Sequence, residues 1–255
     1  MHLTNHSFTR LRLGVVGTGR LGNALAAGLR HAGHEVEGPT GRGETPRGCD
    51  AIVICVPDAE IASVAEALAG CAPLVGHTSG ATPLAALEPA RTEAFGLHPL
   101  QTFSQSSGLE AFAGAGCAVA GQTPRALELA LRLARELGMT PFEIDEQGRA
   151  AYHAAASMAS NFLVTLQAAA ERLAGGAGLE PAEARALLAP LVRRTVSQWA
   201  ELGPERALTG PVARGDAATV DAQRAAVAGT APELLALFDE LVARTRELAA
   251  QGAPA

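Results

Sequence analysis

The stretch GVVGTGRLGNALAAGL, Gly14 to Leu29, decides how this chain is read. It completes an apolar run, LRLGVV, of the kind that forms a strand buried within a parallel sheet. Beyond it, Leu21, Leu25, Ala26 and Leu29 recur at helical spacing from Arg20 to His31, and Gly33 closes the helix. Between strand and helix, Gly17, Gly19 and Gly22 fit the G-x-G-x-x-G pattern. Gly17 permits a tight turn, Gly19 lets a pyrophosphate approach the backbone, and Gly22 lets the helix pack close to the strand. The helix N-terminus presents free N–H groups to an anion. The loop Gly17-Thr18-Gly19-Arg20-Leu21-Gly22 is therefore a candidate dinucleotide cradle.

Working outward, HEVEGPT reads as a second strand and DAIVICVP as a third, ended by Pro57 and followed by a helix from Asp58 to Ala69. PLVGHTSG and EAFGLHPL are the next strands, with a short helical stretch, TPLAALEPA, between them. GCAVAG and TPFEI bracket a helix from Pro124 to Leu137. This alternation implies an α/β fold with a doubly wound, mostly parallel Rossmann-like sheet. After about Asp145 only helical patterns remain: Gln147 to Leu173, Pro181 to Glu201, Ala217 to Ala228 and Ala231 to Gln251. The expected division is a dinucleotide-binding domain over 1–146 and an all-helical domain for substrate and dimerisation over 147–255.

Acidic residues outnumber basic ones, with a formal charge of −6, which argues against nucleic acid or a membrane surface as partner. No span reaches the ~20 apolar residues of a membrane helix, and the leader MHLTNHSFTR lacks the apolar core of a secretory signal. A cytoplasmic location is expected. Cys49, Cys55, Cys71 and Cys117 are scattered without metal-site spacing and read as reduced, mostly buried thiols, so no metal is expected. His31 and His34, flanking Gly33, read as solvated residues at a helix end. All 20 basic residues are arginine. The absence of lysine excludes Schiff-base chemistry and a lysine general acid, and arginine does not exchange protons near neutrality.

A NAD-selective site carries an acidic residue about 20 positions beyond the first glycine. Glu37 falls near that spacing, yet it reads as mid-strand. With Thr40 at the strand end, no carboxylate repels a 2′-phosphate, and Arg42, with Arg47 behind it, is free to bind one. NADP is expected, with NAD as the alternative.

The segments GVVGTGRLGNALA, VPD, HTSG, GLHPLQTF, YHAAASMASN and TGPVARGD together resemble a bacterial family that joins a Rossmann-like domain to a C-terminal helical domain of unknown function. That family is similar to the 6-phosphogluconate-dehydrogenase-like superfamily, including pyrroline-5-carboxylate reductases and prephenate dehydrogenases. The resemblance implies an NADP oxidoreductase. It also implies that Val56, Pro57 and Asp58 lie on the nicotinamide side, and that Ser79 and His98 surround a substrate hydroxyl. His153, Ser157 and Asn161 stand at i, i+4 and i+8, on one helix face. Related hydroxyacid dehydrogenases carry a lysine on the corresponding helix, and this chain has none.

With lysine absent, His98 and His153 are the expected proton donors, because histidine titrates in the right range. Tyr152 is adjacent to His153, about 100° away on a helix, so only one of the two is expected to face inward, and His153 has Ser157 and Asn161 in line with it. Ser79 and Asn161 would orient the substrate heteroatom, Ser157 would contact the substrate, and Arg214 would grip its carboxylate, with Asp216 beside it. The expected activity is NADP-dependent reduction of a small keto- or imino-acid-like substrate. The alternative is a dinucleotide-binding sensor or scaffold without hydride transfer. The Ala- and Leu-rich helix AYHAAASMASNFLVTLQAAAERLA is apolar over much of its circumference, and helical-domain relatives dimerise, so a homodimer through the C-terminal helices is expected.

Overall fold

The structure, a computed structural model, describes residues 10–252, so most of the leader read above lies outside the described residues. The chain divides into two compact units, one running to Ser160 and the other starting at Asn161. The first unit is built on seven strands: β1 (Arg12–Val16), β2 (Glu35–Thr40), β3 (Ala51–Ile54), β4 (Leu74–His77), β5 (Glu93–Leu100), β6 (Gly116–Gly121) and β7 (Thr140–Glu143). Their order across the sheet is β2-β1-β3-β4-β5-β6-β7. All neighbouring pairs are parallel except β5 and β6. The fold is a Rossmann-like, mostly parallel sheet followed by a helical region.

Burial explains the strands. β1, β3 and β4 are covered on both faces, which suits their Val, Ile and Leu content. One face packs Leu13, Val15, Phe95 and Leu97 against α1 (Arg20–His31) and α3 (Pro124–Glu136). The other packs Ile52, Ile54 and Val75 against α2 (Ile61–Ala67) and the 3-10 segment Leu84–Ala90. The short helical stretch expected from TPLAALEPA is this 3-10 segment, with Pro89 inside it. Thr123 starts α3 by accepting the Ala126 N–H at 3.1 Å, with Pro124 in the first turn.

One expectation is corrected at the end of α1. His31 is exposed, but His34 is buried. Its Nε2 lies 2.7 Å from Glu136 Oε2, and its Nδ1 accepts the Leu11 N–H at 3.3 Å. The chain turns at Gly33 (φ +96°), and the next residue packs against Glu136 and Leu11 instead of facing solvent.

Strand signals end with β7, and the first unit runs on through α4 (Arg149–Ala159). The second unit contains α5 (Asn161–Gly175), α6 (Pro181–Leu202), α7 (Pro204–Ala207), α8 (Ala217–Thr230) and α9 (Leu235–Gln251). Arg185 binds Glu171 and Arg224 binds Asp239, tying α6 to α5 and α8 to α9. Among the described residues, no helix is long and apolar enough to cross a membrane.

Candidate functional site

The glycine loop lies where the fold requires it, between β1 and α1. Gly17 has φ +111°, and a Cβ there would fall 2.2 Å from the Cys55 carbonyl oxygen. A Cβ on Gly22 would fall 1.9 Å from the Gly17 carbonyl oxygen. Both positions are dictated by backbone approach. Gly19 differs: its backbone is extended (φ −68°, ψ 178°), and a Cβ would meet nothing within 4 Å. Any residue fits there as far as the fold is concerned.

Gly19 is the N-cap of α1, with no side-chain cap and no acidic residue in the first turn. The first N–H groups of the helix therefore remain available to an anion. Asn23 steadies the loop from behind, its Nδ2 donating to the Thr18 and Gly19 carbonyls at 2.7 and 3.0 Å. Arg20 is exposed at the helix start, and Leu21 packs its side chain against the core, so Leu21 can offer an anion only its backbone N–H.

The loop opens onto a cavity of about 520 Å³ in the first unit. Gly17, Thr18, Gly19, Thr40, Arg42, Val56 and Pro57 all line it, so the structure brings these candidate residues together. Asp58 and Arg47 do not line it. β2 ends at Thr40, which places a hydroxyl at the strand tip, and Glu37 is mid-strand and bound to Arg12 at 3.1 Å. Sequence reasoning missed the opposite wall, formed by Glu60, Ser63, Val64, Ala67 and Leu68 along α2 and its two ends. Its only signal was proximity to the Val56-Pro57 turn.

A second group of residues lies at the carboxyl ends of β4 and β5. Successive strand spacings of about 4.8 Å put β5 roughly 14 Å from β1. A dinucleotide crosses the carboxyl edge of such a sheet in this direction. His98 Nδ1 lies 2.7 Å from the Tyr152 hydroxyl, and the two rings meet edge to face with centroids 5.5 Å apart. The His153 ring centroid is 6.3 Å from that of His98. Tyr152 and His153 thus both face His98, correcting the expectation that only one would.

The His98 ring is held from behind by Gly80, whose Cβ would sit 2.7 Å from it. Any larger residue at the end of HTSG would displace the imidazole. Phe142 packs edge-on against Tyr152, with centroids 5.7 Å apart. Burial, with the His153 charge adding to it, pulls His98 down to about 4. Burial pushes Tyr152 up to about 12. At neutral pH both groups are uncharged. His98 is therefore not the imidazolium acid that its ordinary titration range suggested, because the protonated ring would be poorly solvated there.

His77, at the end of β4, is fully buried and is pulled down to about 4, first by burial and then by the Arg149 charge. Its Nδ1 accepts the Ser79 N–H at 3.2 Å, which leaves the proton on Nε2. Nε2 makes no hydrogen bond of regular geometry among the described residues, although the Pro83 backbone lies close enough to favour its protonated form. Arg149, likewise missed in the sequence, is buried at the start of α4 and binds Glu146 through Nε and Nη2 at 3.2 and 2.8 Å.

Other expected site residues are placed differently. The Ser79 hydroxyl accepts the Ala81 and Thr82 N–H groups at 3.2 and 2.9 Å and donates to Thr82 Oγ1 at 3.0 Å. It holds the turn beneath Gly80 and is not presented to a substrate. His153 and Ser157 stand one turn apart on α4, whereas Asn161 belongs to a different helix. α4 ends at Ala159, Ser160 is its C-cap (φ −119°, ψ −76°), and Asn161 begins α5 in the second unit, exposed. Asp216 caps α8 by accepting the Thr219 N–H at 3.2 Å, and Arg214 is exposed on the loop before it.

Residues 115–245 match the family model described as a domain of unknown function, DUF2520. The chain belongs to this family. The matched part of this DUF2520 member begins just before β6 and includes Tyr152 and His153, and the glycine loop precedes it. Solved structures are similar over nearly the whole chain. Protein TM1727 from Thermotoga maritima is 26% identical, with 94% of this chain and 98% of that one covered and a TM-score of 0.75. The "putative NADP oxidoreductase BF3122" from Bacteroides fragilis is 21% identical over 93% and 98%, with a TM-score of 0.78. A 1-pyrroline-5-carboxylate reductase from Streptococcus pyogenes is 13% identical over 93% and 99%, with a TM-score of 0.62. These likenesses establish the fold of the DUF2520 chain. No curated protein matches it.

Proposed function

We propose that the chain is an NADP-dependent oxidoreductase acting on a small keto- or imino-acid-like substrate. The observation that carries this reading is Gly19. The fold leaves room for a side chain there, so the missing Cβ is explained by a ligand that must reach the backbone. The N–H groups at the start of α1 would hold the pyrophosphate, Thr40 and Arg42 the adenosine 2′-phosphate, and Val64, Ala67 and Leu68 the adenine face. When bound, the nicotinamide supplies a hydride to a carbonyl or imine carbon.

Reduction of such a carbon requires a proton at the neighbouring oxygen or nitrogen. Tyr152 is the group best placed to supply it. In the His98 tautomer that carries its proton on Nδ1, His98 donates to the phenol oxygen, which leaves the Tyr152 O–H free to donate to the substrate. His98 fixes the phenol and stabilises charge developing on its oxygen. His153 lies beside the pair as its third member. The chain is further proposed to act as a homodimer through its C-terminal helices.

Gly19→Val tests the cradle. Calorimetric titration is expected to show NADP binding abolished while circular dichroism shows the fold retained. Undiminished NADP affinity in the folded variant would overturn the reading. Catalysis is tested separately by NADPH consumption with a panel of keto acids and cyclic imines. A wild-type chain that binds NADP but consumes no NADPH across that panel favours the sensor alternative.

A further inference from the structure

The cavity beside the glycine loop holds a charge pair that spans its two walls. Arg42 stands on the loop after β2, and Glu60 stands just before α2; both line the cavity. Arg42 Nη2 lies 2.9 Å from Glu60 Oε1. Ser63 Oγ donates to the Glu60 backbone carbonyl at 2.9 Å, fixing the turn that presents this carboxylate. Across from it, Glu44 accepts the Gly41 N–H at 3.1 Å, which shapes the loop that presents Arg42. The arginine side chain is 90% exposed and Glu60 is 37% exposed, so the pair is a weak, solvated clasp and not a fixed structural bridge.

We infer that Glu60 is a specificity-determining residue, setting the choice between NADP and NAD by holding Arg42. This rests on the dinucleotide reading given above. A 2′-phosphate needs the Arg42 guanidinium, and to take it the phosphate must displace a carboxylate of like charge, which then remains nearby. A ribose carrying a free 2′-hydroxyl needs neither event. It meets a pair that is already neutralised, and Glu60, which engages Arg42 through Oε1 alone, keeps an oxygen able to accept from that hydroxyl. Arg42 alone would make the cavity strongly selective for the phosphorylated dinucleotide. The pair brings the two affinities closer, so the positioning residue Glu60, and not the arginine by itself, sets their ratio.

The test is calorimetric titration of NADP and NAD into the wild-type chain, Glu60→Gln, Arg42→Ala and the double variant. Glu60→Gln is expected to tighten NADP by about threefold to fivefold, the range of an exposed ion pair, with NAD unchanged or weakened. Arg42→Ala is expected to weaken NADP much more than NAD. In the double variant the gain from Glu60→Gln should largely vanish, because it acts through Arg42. An NADP-to-NAD ratio in Glu60→Gln within twofold of wild type overturns this inference alone. A full gain persisting without Arg42 also overturns it. A wild-type chain that binds neither dinucleotide overturns the proposed function with it.

Discussion

His98 and His77 are ordinary histidines by sequence and unusual ones by position. Both are pulled to about 4 in the folded chain, whereas the unfolded chain takes up the same protons near 6.5. Between those values the unfolded state binds more protons, so stability rises with pH from about 4 to 6.5 and is lost as pH falls through that window. For fully buried His77 the effect is on the order of 3 kcal/mol. Urea unfolding at pH 7 and pH 4.5 should show the loss, and His77→Asn, which retains an acceptor for the Ser79 N–H, should flatten it. An equal pH slope in that variant would remove His77 as the cause. The Tyr152–His98 contact makes a second claim at this scale. Tyr152→Phe is expected to leave NADP affinity intact and to lower the rate of NADPH consumption by at least about 100-fold, with His153→Asn costing less. His98 itself was legible in GLHPLQTF as a strand-end histidine. Its neutrality was not, because burial arises from the packing of segments distant in sequence, among them Gly80 and α4.

Among the elements, those with local causes were the most legible. The β1–glycine–α1 unit is specified within one short segment, and the cavity opens at that segment. Two departures have causes that periodicity does not express. β6 runs antiparallel to β5, and nothing in the alternation of apolar residues distinguishes that direction. α4 and α5 read as one helix because Ser160 and Asn161 interrupt no apolar pattern, yet α4 ends at Ala159 and a separate helix begins at Asn161. The three glycines of the loop also divide by cause, and this can be measured. Gly22→Ala places a methyl group against the Gly17 carbonyl, which is backbone and cannot move aside cheaply. It should cost about 3 kcal/mol or more in urea unfolding. Gly19→Ala should be stable to within about 1 kcal/mol, because its Cβ enters open space. Equal losses in the two variants would dissolve the distinction on which the cradle rests.

At the scale of the whole molecule, the two units differ in how well each covers its own apolar surface. The sheet unit has a buried cluster on each face. Among the described residues of the helical unit the buried apolar ones are Ala184, Val220, Val227 and Ala231, all small or medium in size. Several of its large ones are exposed: Phe162 is 59% exposed, Val164 70%, Leu187 60%, Leu191 62% and Trp199 56%. They lie on α5 and α6, whose sequences are rich in alanine and leucine, and apolar exposure on this scale fits an interaction surface. A second copy is the occupant proposed here, because a helical face that meets its own image can bury the whole patch symmetrically. Light scattering at micromolar concentration should give twice the mass of the chain. Leu191→Glu, which puts a charge into the patch without touching the cavity beside the glycine loop, should give the mass of one chain and leave NADP affinity within twofold of wild type. A wild-type mass of one chain overturns the dimer. If Leu191→Glu retains the doubled mass, the copies meet elsewhere and not through this face of α6.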